Sequence, residues 1–257
     1  MIKAAIFDYG DTLVRHRIPF EDVLPKAVRA NYRFFSKAGL KSSFEEFSAV
    51  NRDVFAEFSE AEANQDRDIP DAIKYNELVR RLFPTRPRAW RSKIAGSANK
   101  RLHDFGARYR QAAKGAKTSL EELESMGLKM AVLSNHSDQQ ALVRSLKQFG
   151  LNSYFARIYS SSQLGVRKPN RRAFAKCLAD LRVRADQTVF VGDSLRNDVA
   201  GAKACGMVTI FVGQGAKHEN LDGIQSPDFT VTTLSKIPRI IRRLNTPPFE
   251  GFPAETR

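Results

Sequence analysis

The sequence is poor in cysteine and has no long hydrophobic run. Cys177 and Cys205 are the only cysteines among 257 residues, and two distant thiols form neither a disulfide framework nor a zinc cluster. No segment approaches the roughly 18 apolar residues of a membrane-spanning helix, and the N-terminus has no signal-peptide pattern. Zinc-finger spacing, RNA-recognition aromatics and leucine-zipper heptads are also absent. These absences predict a cytoplasmic globular protein with no membrane segment.

What the sequence has in excess is positive charge. Its 42 Lys and Arg outnumber 28 Asp and Glu, which gives a net charge of +14. The excess is concentrated in residues 15–117, notably in the stretch RPRAWRSK at 86–93. Such a surface attracts anions, either a phosphate-rich substrate or nucleic acid. Because no nucleic-acid motif is present, we favour a solvated basic surface and expect no nucleic-acid partner.

Two hydrophobic patterns divide the chain. Residues 1–15 and 115–245 alternate unbroken apolar segments with amphipathic ones, which is typical of a parallel sheet covered by helices on both faces. From about 20 to 112, phenylalanines recur at helical spacing, and we find no strand pattern there. The sequence thus predicts an α/β core interrupted by an all-helical module at 16–114. Residues 246–257 are predicted to form an irregular tail.

Individual elements of the α/β part can be predicted from the same pattern. The predicted strands cover residues 2–7, 128–133, 155–159, 188–191 and 208–212, and the predicted helices include 138–149, 170–181, 196–205 and 233–244.

Polar side chains follow three of the predicted strands. Asp8 follows the first strand, Ser134 ends the second and Asp193 follows the fourth. Asp198 lies five residues after Asp193, and Lys168 lies in a loop before a helix. Ligands of open parallel sheets bind beyond the carboxyl ends of the strands. We therefore expect these carboxylates, the hydroxyl and the ammonium to meet at one edge of the sheet.

This set of groups indicates phosphoryl transfer. Clustered carboxylates repel one another, and a few hard oxygen ligands suit Mg²⁺, which also binds substrate phosphate. A lysine beside them neutralises negative charge and can hold a phosphate oxygen. A carboxylate can then act as the nucleophile through an aspartyl-phosphate.

Four segments resemble, in order and spacing, the motifs of the haloacid dehalogenase-like (HAD) hydrolase superfamily: FDYGDTL, VLSN, GVRKPNRRAF and VFVGDSLRNDVAGAKACGM. The resemblance covers about residues 1–14 and 115–245. It implies a three-layer Rossmann-like core with a small all-helical cap domain at 16–114. It also implies a Mg²⁺-dependent phosphatase that hydrolyses a small phosphorylated metabolite.

The resemblance implies roles for four residues around the phosphate. Asp8 would be the nucleophile that attacks phosphorus. Ser134 and Lys168 would be the other catalytic residues, and both would bind the phosphoryl oxygens. Asn135, the residue after that serine, would contact the substrate phosphate or support the residues around it.

The resemblance also implies a metal site. Asp8, Asp193 and the backbone carbonyl of Gly10 would ligate Mg²⁺. Asp198 would support the site through the metal's surroundings or by orienting the lysine, and Ser194 would support it as well.

The first motif departs from the superfamily pattern at Gly10. The usual residue there is a second aspartate, which acts as general acid and base. Without a replacement, its loss costs roughly 10²–10⁴-fold in rate. Asp11 could replace it if the chain turns helically after Asp8, and His16 has a suitable pKa. Both are hypotheses.

Two other functions remain open. A dehalogenase of the same superfamily usually has an aromatic residue at the Gly10 position and no metal-binding aspartate in its last motif, so Asp193 and Asp198 favour a phosphatase. A catalytically weak binding protein would explain the missing acid at Gly10. Such a protein has no use for the combination of Asp8 and Lys168 with the other carboxylates.

Overall fold

The computed structural model describes residues 1–65, 68–213 and 226–246. In chain order its elements are β1 (Ala4–Phe7), β2 (Val14–His16), α1 (Phe20–Lys37), α2 (Phe44–Gln65), α3 (Asp71–Leu82), α4 (Arg88–Ala107), β3 (Arg110–Ala112), α5 (Ala116–Ser125), β4 (Lys129–Ser134), α6 (Gln139–Gln148), β5 (Arg157–Ser160), α7 (Ser161–Leu164), α8 (Arg171–Leu181), β6 (Thr188–Gly192), α9 (Gly201–Ala204), β7 (Val208–Val212), β8 (Phe229–Val231) and α10 (Ile237–Asn245). A π-helical segment, Leu195–Ala200, runs directly into α9.

A six-stranded parallel sheet forms the core, in the order β5-β4-β1-β6-β7-β8. Successive side chains of a strand point to opposite faces. Accordingly, Ala5 and Phe7 pack with α5, α6 and α10, whereas Ala4 and Ile6 pack with α8 and α9 on the other face. The unbroken apolar strands are therefore buried on both sides. The predicted three-layer α/β fold is confirmed.

The strand order determines where a site can form. β1 lies at the centre, with Phe7 paired to Val132 of β4 on one side and to Val191 of β6 on the other. The chain passes from the β4–β5 side to the β6–β8 side across β1, and ligand sites of open α/β sheets lie at such a switch point. The residues that follow β1, β4 and β6 consequently meet at one edge.

The helical module, which we define as α1–α4, has a hydrophobic cluster of its own. Phe35 and Phe47 are fully buried in it beside Tyr75, and four partly buried phenylalanines of the region pack around them: Phe34, Phe44, Phe55 and Phe58. Tilted and edge-on ring pairs join these side chains, for example Phe35 with Phe47 at a centroid distance of 5.6 Å. The separate cluster supports the proposed division of the chain at residues 16–114.

One prediction for this region is wrong. We expected no strand between about 20 and 112, but β3 occupies Arg110–Ala112 and pairs antiparallel with β2 in a two-stranded ribbon. His16 stands opposite Arg110, so the chain leaves the core and returns to it at neighbouring points. Three-residue strands are too short to produce a recognisable alternation in the sequence.

Smaller differences concern the last third of the chain. The hydrophobic pattern did not predict β8, a three-residue strand at the sheet edge. The helix predicted at 196–205 is the π-helical segment followed by the single turn of α9. The predicted tail at 246–257 lies outside the described residues except for Thr246. Among the helices described, none combines the length and apolar character needed to cross a membrane.

Candidate active site

Lys168 lies at the centre of the edge where β1, β4 and β6 end. Its Nζ donates a hydrogen bond to Asp8 Oδ1 at 2.6 Å and another to Asp198 Oδ1 at 2.7 Å. All three side chains are buried. Buried charges need partners of opposite sign, and removing one partner leaves the other uncompensated. The lysine therefore depends on both carboxylates for its place, and it fixes one oxygen of Asp8.

Asp193 completes a cluster of three carboxylates with Asp8 and Asp198. One oxygen of each lies within 4.8 Å of the others. The Thr12 hydroxyl donates to Asp193 Oδ1 at 3.3 Å, and the Ser194 backbone N–H donates to Asp198 Oδ2 at 3.0 Å. The three carboxylates and the Lys168 ammonium therefore meet at the sheet edge, as the sequence predicts.

Gly192 and Ser194 make room for and anchor this cluster. A Cβ on Gly192 would overlap the Asp198 carboxylate, so only glycine fits at the end of β6. The Ser194 hydroxyl accepts a hydrogen bond from the Asn197 N–H at 3.1 Å and caps the π-helical segment. That segment carries Asp198 to Lys168. Ser194 thus supports the site through the backbone, in line with the supporting role predicted for it.

The cluster carries more negative charge than one lysine can balance. Burial raises the pKa of Asp8 to about 6, with Lys168 opposing the shift and Asp198 adding to it. Burial, together with repulsion from Asp8 and Asp198, raises the pKa of Asp193 to about 7. Burial disfavours the charged form of Lys168, but the two carboxylates outweigh it and raise the pKa of the ammonium. Among the described residues, Lys168 is the one cation within ion-pair distance of these carboxylates.

This donor set fits a magnesium ion. Carboxylate oxygens are the hard ligands that Mg²⁺ prefers, and the ion needs only one or two of them because it retains several waters. Asp8 and Asp193, with the carbonyl of Gly10, would hold it. A divalent charge would also remove the repulsion that raises the two carboxyl pKa values.

Asn135 supports the site through a partner that the sequence did not reveal. Its Nδ2 donates to the Lys168 carbonyl at 3.0 Å, and the Lys168 N–H donates to its Oδ1 at 2.8 Å. Both ends of the amide thus hold the backbone of the lysine. The side chain positions Lys168, and the contact with phosphate predicted for Asn135 stays a prediction. Ser134, buried at the end of β4, directly precedes it.

The turn after β1 shows what glycine does in the first motif. Asp11, not Gly10, adopts the left-handed conformation, with φ of 51°. The N–H groups of Leu13 and Val14 both donate to the Tyr9 carbonyl at 3.0 Å and close the turn. Around Gly10, an added Cβ would meet no atom within 4 Å. The backbone therefore strains the aspartate and leaves open space at the glycine.

The two candidate acid–base residues lie on this turn and the ribbon after it. Asp11 is exposed and adds to the negative field that raises the pKa of Asp193. His16 packs edge-on against Phe20, and its buried Nδ1 has no hydrogen-bond partner among the described residues. Burial, reinforced by Arg110, lowers the pKa of His16. Within the described chain neither residue is hydrogen-bonded to Asp8, so both roles stay predictions.

The parallel sheet with polar groups at its central switch point defines a three-layer α/β enzyme of the Rossmann-like class. The chain belongs to the haloacid dehalogenase-like hydrolase family, whose model matches residues 41–212. It is similar to a glyceraldehyde 3-phosphate phosphatase from Methanopyrus kandleri, with 27% identity over 248 residues that span 95% of this chain and 99% of the relative.

Two solved structures show the same fold. A 2-haloacid dehalogenase from Pseudomonas syringae pv. Tomato DC3000 matches with a TM-score of 0.72 and 21% identity, covering 95% of this chain and 100% of that chain. A magnesium-bound HAD hydrolase from Bacillus subtilis matches with a TM-score of 0.55 and 18% identity, covering 94% and 99%. At these identities the likeness concerns the fold alone.

We expect Mg²⁺ to stabilise the protein, and more so at pH 8 than at pH 5.5. Without a cation, the raised pKa values of Asp8 and Asp193 favour the folded state at low pH, and this contribution is lost as the pH rises through about 6 to 7. Mg²⁺ binds the ionised carboxylates and reverses that loss. At 100 times its dissociation constant, it should add about 2.7 kcal/mol. Thermal unfolding with and without the ion measures this.

The matched variant for this test is Asp193→Asn, which removes one carboxylate from the cluster. It should lose most of the stabilisation by Mg²⁺ at pH 8. An equal stabilisation in both proteins would place the ion elsewhere.

Proposed function

We propose that this chain is a Mg²⁺-dependent phosphatase that hydrolyses a small phosphorylated metabolite through an aspartyl-phosphate on Asp8. One observation carries the proposal. Asp8 lies at the end of the central strand with one oxygen held by Lys168 at 2.6 Å, and Asp193 and Asp198 lie within the same cluster. This arrangement provides a fixed nucleophile beside an ammonium and a site for a divalent cation.

The reaction then has two displacement steps. The Asp8 oxygen that is not bound to Lys168 attacks phosphorus, the ester P–O bond breaks, and the leaving oxygen takes up a proton. Water next attacks phosphorus, the bond to Asp8 breaks, and inorganic phosphate leaves with the carboxylate restored. Lys168 and the Ser134 hydroxyl would bind phosphoryl oxygens as negative charge develops on them.

The remaining residues of the site keep this geometry. Asp198 holds the ammonium of Lys168 together with Asp8, and Asn135 holds the backbone of the same lysine. Bound Mg²⁺ would neutralise phosphate charge and polarise the reacting P–O bond. Asp193 is the carboxylate that this role requires beyond the nucleophile.

The acidic cluster favours a phosphatase over a dehalogenase. In a metal-free dehalogenation, Asp193 beside Asp8 would keep one carboxyl protonated near neutral pH and weaken the nucleophile. A phosphatase uses the same charge to hold its cation. The Methanopyrus kandleri relative, a glyceraldehyde 3-phosphate phosphatase, supports a small phosphorylated substrate. The cytoplasmic location and the lack of a nucleic-acid partner stay predictions.

A panel of small phosphomonoesters, including p-nitrophenyl phosphate, tests the function. We expect release of inorganic phosphate in the presence of Mg²⁺, and a loss of at least about 10²-fold when EDTA removes the ion, since metal charge stabilisation supplies several kcal/mol. A 2-haloacid assayed in parallel should give no halide. Halide release, or no phosphate from any ester, would contradict the proposal; the second result would favour a binding protein.

A further inference from the structure

A cavity of about 240 Å³ lies between the helical module and the α/β core. Its core side is formed by the segment after β4, including Asn135 and His136, and its other walls come from α1, α3, α4 and β3. Asn135 follows Ser134 and holds the backbone of Lys168. The cavity therefore adjoins the phosphate end of the proposed site through Asn135.

One wall of this cavity is apolar. Phe20 and Leu24 lie one turn apart on α1 and line it, although they are 52% and 42% exposed. Among the described residues, the only other large apolar side chains with such exposure are Met1 and Ile73; the rest are partly or fully buried. Leu102 of α4 continues the wall. An apolar surface kept open at a cavity mouth is available to the carbon skeleton of a ligand.

Arg110 of β3 provides a positive charge in the cavity. Its Nη1 donates to the Tyr9 hydroxyl at 3.1 Å, and the guanidinium lies 5.8 Å from the centroid of the same ring. Across residues 1–65, 68–213 and 226–246, no carboxylate oxygen lies within 4.0 Å of a guanidinium nitrogen of Arg110, which is the limit for an ion pair. A half-buried guanidinium is usually paired, and it offers several donors in a rigid fork. Arg110 is thus a cation without an acidic partner at the cavity.

The carboxylate that lines the cavity is already occupied. Asp71 Oδ2 accepts a hydrogen bond from the Ser137 hydroxyl at 2.6 Å and lies 3.0 Å from His103 Nε2, while its Oδ1 lies 3.6 Å from Lys74 Nζ. Lys74 is in turn 2.8 Å from Glu62. Asp71 is therefore balanced by its own neighbours and does not neutralise Arg110.

The positive charge of Arg110 helps to lower the pKa of two imidazoles, those of His136 and His16. Burial lowers the pKa of His136 to about 3, with His103 and Arg110 adding to the shift. Burial and Arg110 likewise lower the pKa of His16. Both rings are neutral at pH 7, so neither adds positive charge beside Arg110, and His136, which lines the cavity, can act as a polar neighbour of a ligand. The guanidinium is the group that selects the sign of the ligand's charge.

We propose that this cavity, the Arg110 pocket, binds the leaving group, and that the preferred substrate is a phosphomonoester with a second anionic group, carboxylate or phosphate, held by Arg110. The carbon skeleton between the two anions lies against Phe20 and Leu24. The proposal rests on the proposed function for the ester bond cut at Asp8. It adds that the substrate carries a second anionic group at the end remote from this ester bond.

Two three-carbon esters that differ only at the far end test it: 3-phosphoglycerate, which ends in a carboxylate, and glycerol 3-phosphate, which ends in a hydroxymethyl group. We expect the wild type to favour the carboxylate ester at least about 10-fold in kcat/KM, since charged hydrogen bonds are worth this much or more. In Arg110→Gln this preference should fall about 10- to 100-fold, chiefly through KM. A bisphosphate added to the panel distinguishes a carboxylate-specific from a general anion pocket.

Arg108→Gln is the matched control, because it removes the same charge from an exposed position outside the pocket. It should leave the preference unchanged. Equal losses on both esters in Arg110→Gln, or a wild type with no preference, would overturn the proposal. If Arg110→Gln fails to fold, Arg110→Lys keeps the charge without the fork and should lose part of the preference.

Binding in the Asp8→Asn background separates this proposal from the proposed function. Calorimetry should show 3-phosphoglycerate binding at least about 10-fold tighter than glycerol 3-phosphate, with the difference abolished by Arg110→Gln. A wild type without turnover that still shows this difference would refute the phosphatase and keep the pocket. Turnover of p-nitrophenyl phosphate without any such difference in binding would support the phosphatase and refute the pocket.

Discussion

The Asp8→Asn variant is expected to lose phosphatase activity by at least about 10⁴-fold, as removal of a nucleophile does in other covalent mechanisms. The amide has nearly the same shape as the carboxylate but cannot form the phosphorylated intermediate. Lys168 keeps Asp198 as its charged partner at 2.7 Å, so the fold should survive. The substitution also removes one of three mutually repelling carboxylates. Activity and stability are therefore expected to separate.

Two measurements check this separation. Steady-state kcat should fall, and acid quenching during turnover should trap phosphorylated wild-type protein but no phosphorylated variant. Asp53→Asn, at an exposed position of α2, is the control and should behave as the wild type in both. A loss of less than about 10-fold in Asp8→Asn would exclude the aspartyl-phosphate mechanism.

Replacing Gly10 by aspartate is expected to raise kcat by about 10²-fold, at the lower end of what general acid–base catalysis supplies. The structure allows the side chain, since no atom lies within 4 Å of the added Cβ. The new carboxyl would lie two residues beyond the nucleophile, on the same turn. It could protonate the leaving oxygen and later activate water. Gly10→Asn has nearly the same shape without the titratable group and should give no increase.

The same assay identifies the group that moves the proton in the native chain. If Asp11 or His16 already does so, Asp11→Asn or His16→Ala lowers kcat by 10²-fold or more, and Gly10→Asp adds little. That pair of results would contradict the expected gain. Asp11→Gly removes the same carboxylate and also relieves the turn, because glycine adopts the left-handed φ of 51° without the cost that aspartate incurs there.

The fold could be predicted because its signals are local and long. Unbroken apolar strands such as β4 and β6 alternate with amphipathic helices, and this alone indicates a sheet buried on both faces. The site could be predicted in outline because Asp8, Ser134 and Asp193 each follow a strand that the sheet brings to one edge. Topology, not spacing along the chain, brings them together.

What could not be predicted depends on contacts between distant residues or on very short elements. Asn135 holds a lysine 33 residues further on, and no local pattern encodes that pairing. Strands β2 and β3 have three residues each, too few for an alternation. Arg110 is one of many basic residues in its region, and only the fold shows that no carboxylate of the described residues pairs with it. The excess of basic residues is visible in the sequence, but the distinctive position of Arg110 is not.

The ribbon of β2 and β3 has a consequence for how such an enzyme can change its substrate over evolutionary time. His16 and Arg110 stand opposite each other, so the segment between them, which contains α1–α4, is an insertion whose two ends are neighbours. Insertions with adjacent ends can be lengthened, shortened or exchanged without altering the strand order of the host sheet. The proposed catalytic residues and most of the walls of the Arg110 pocket therefore belong to separable parts of the chain. Selection can remodel one without disturbing the other.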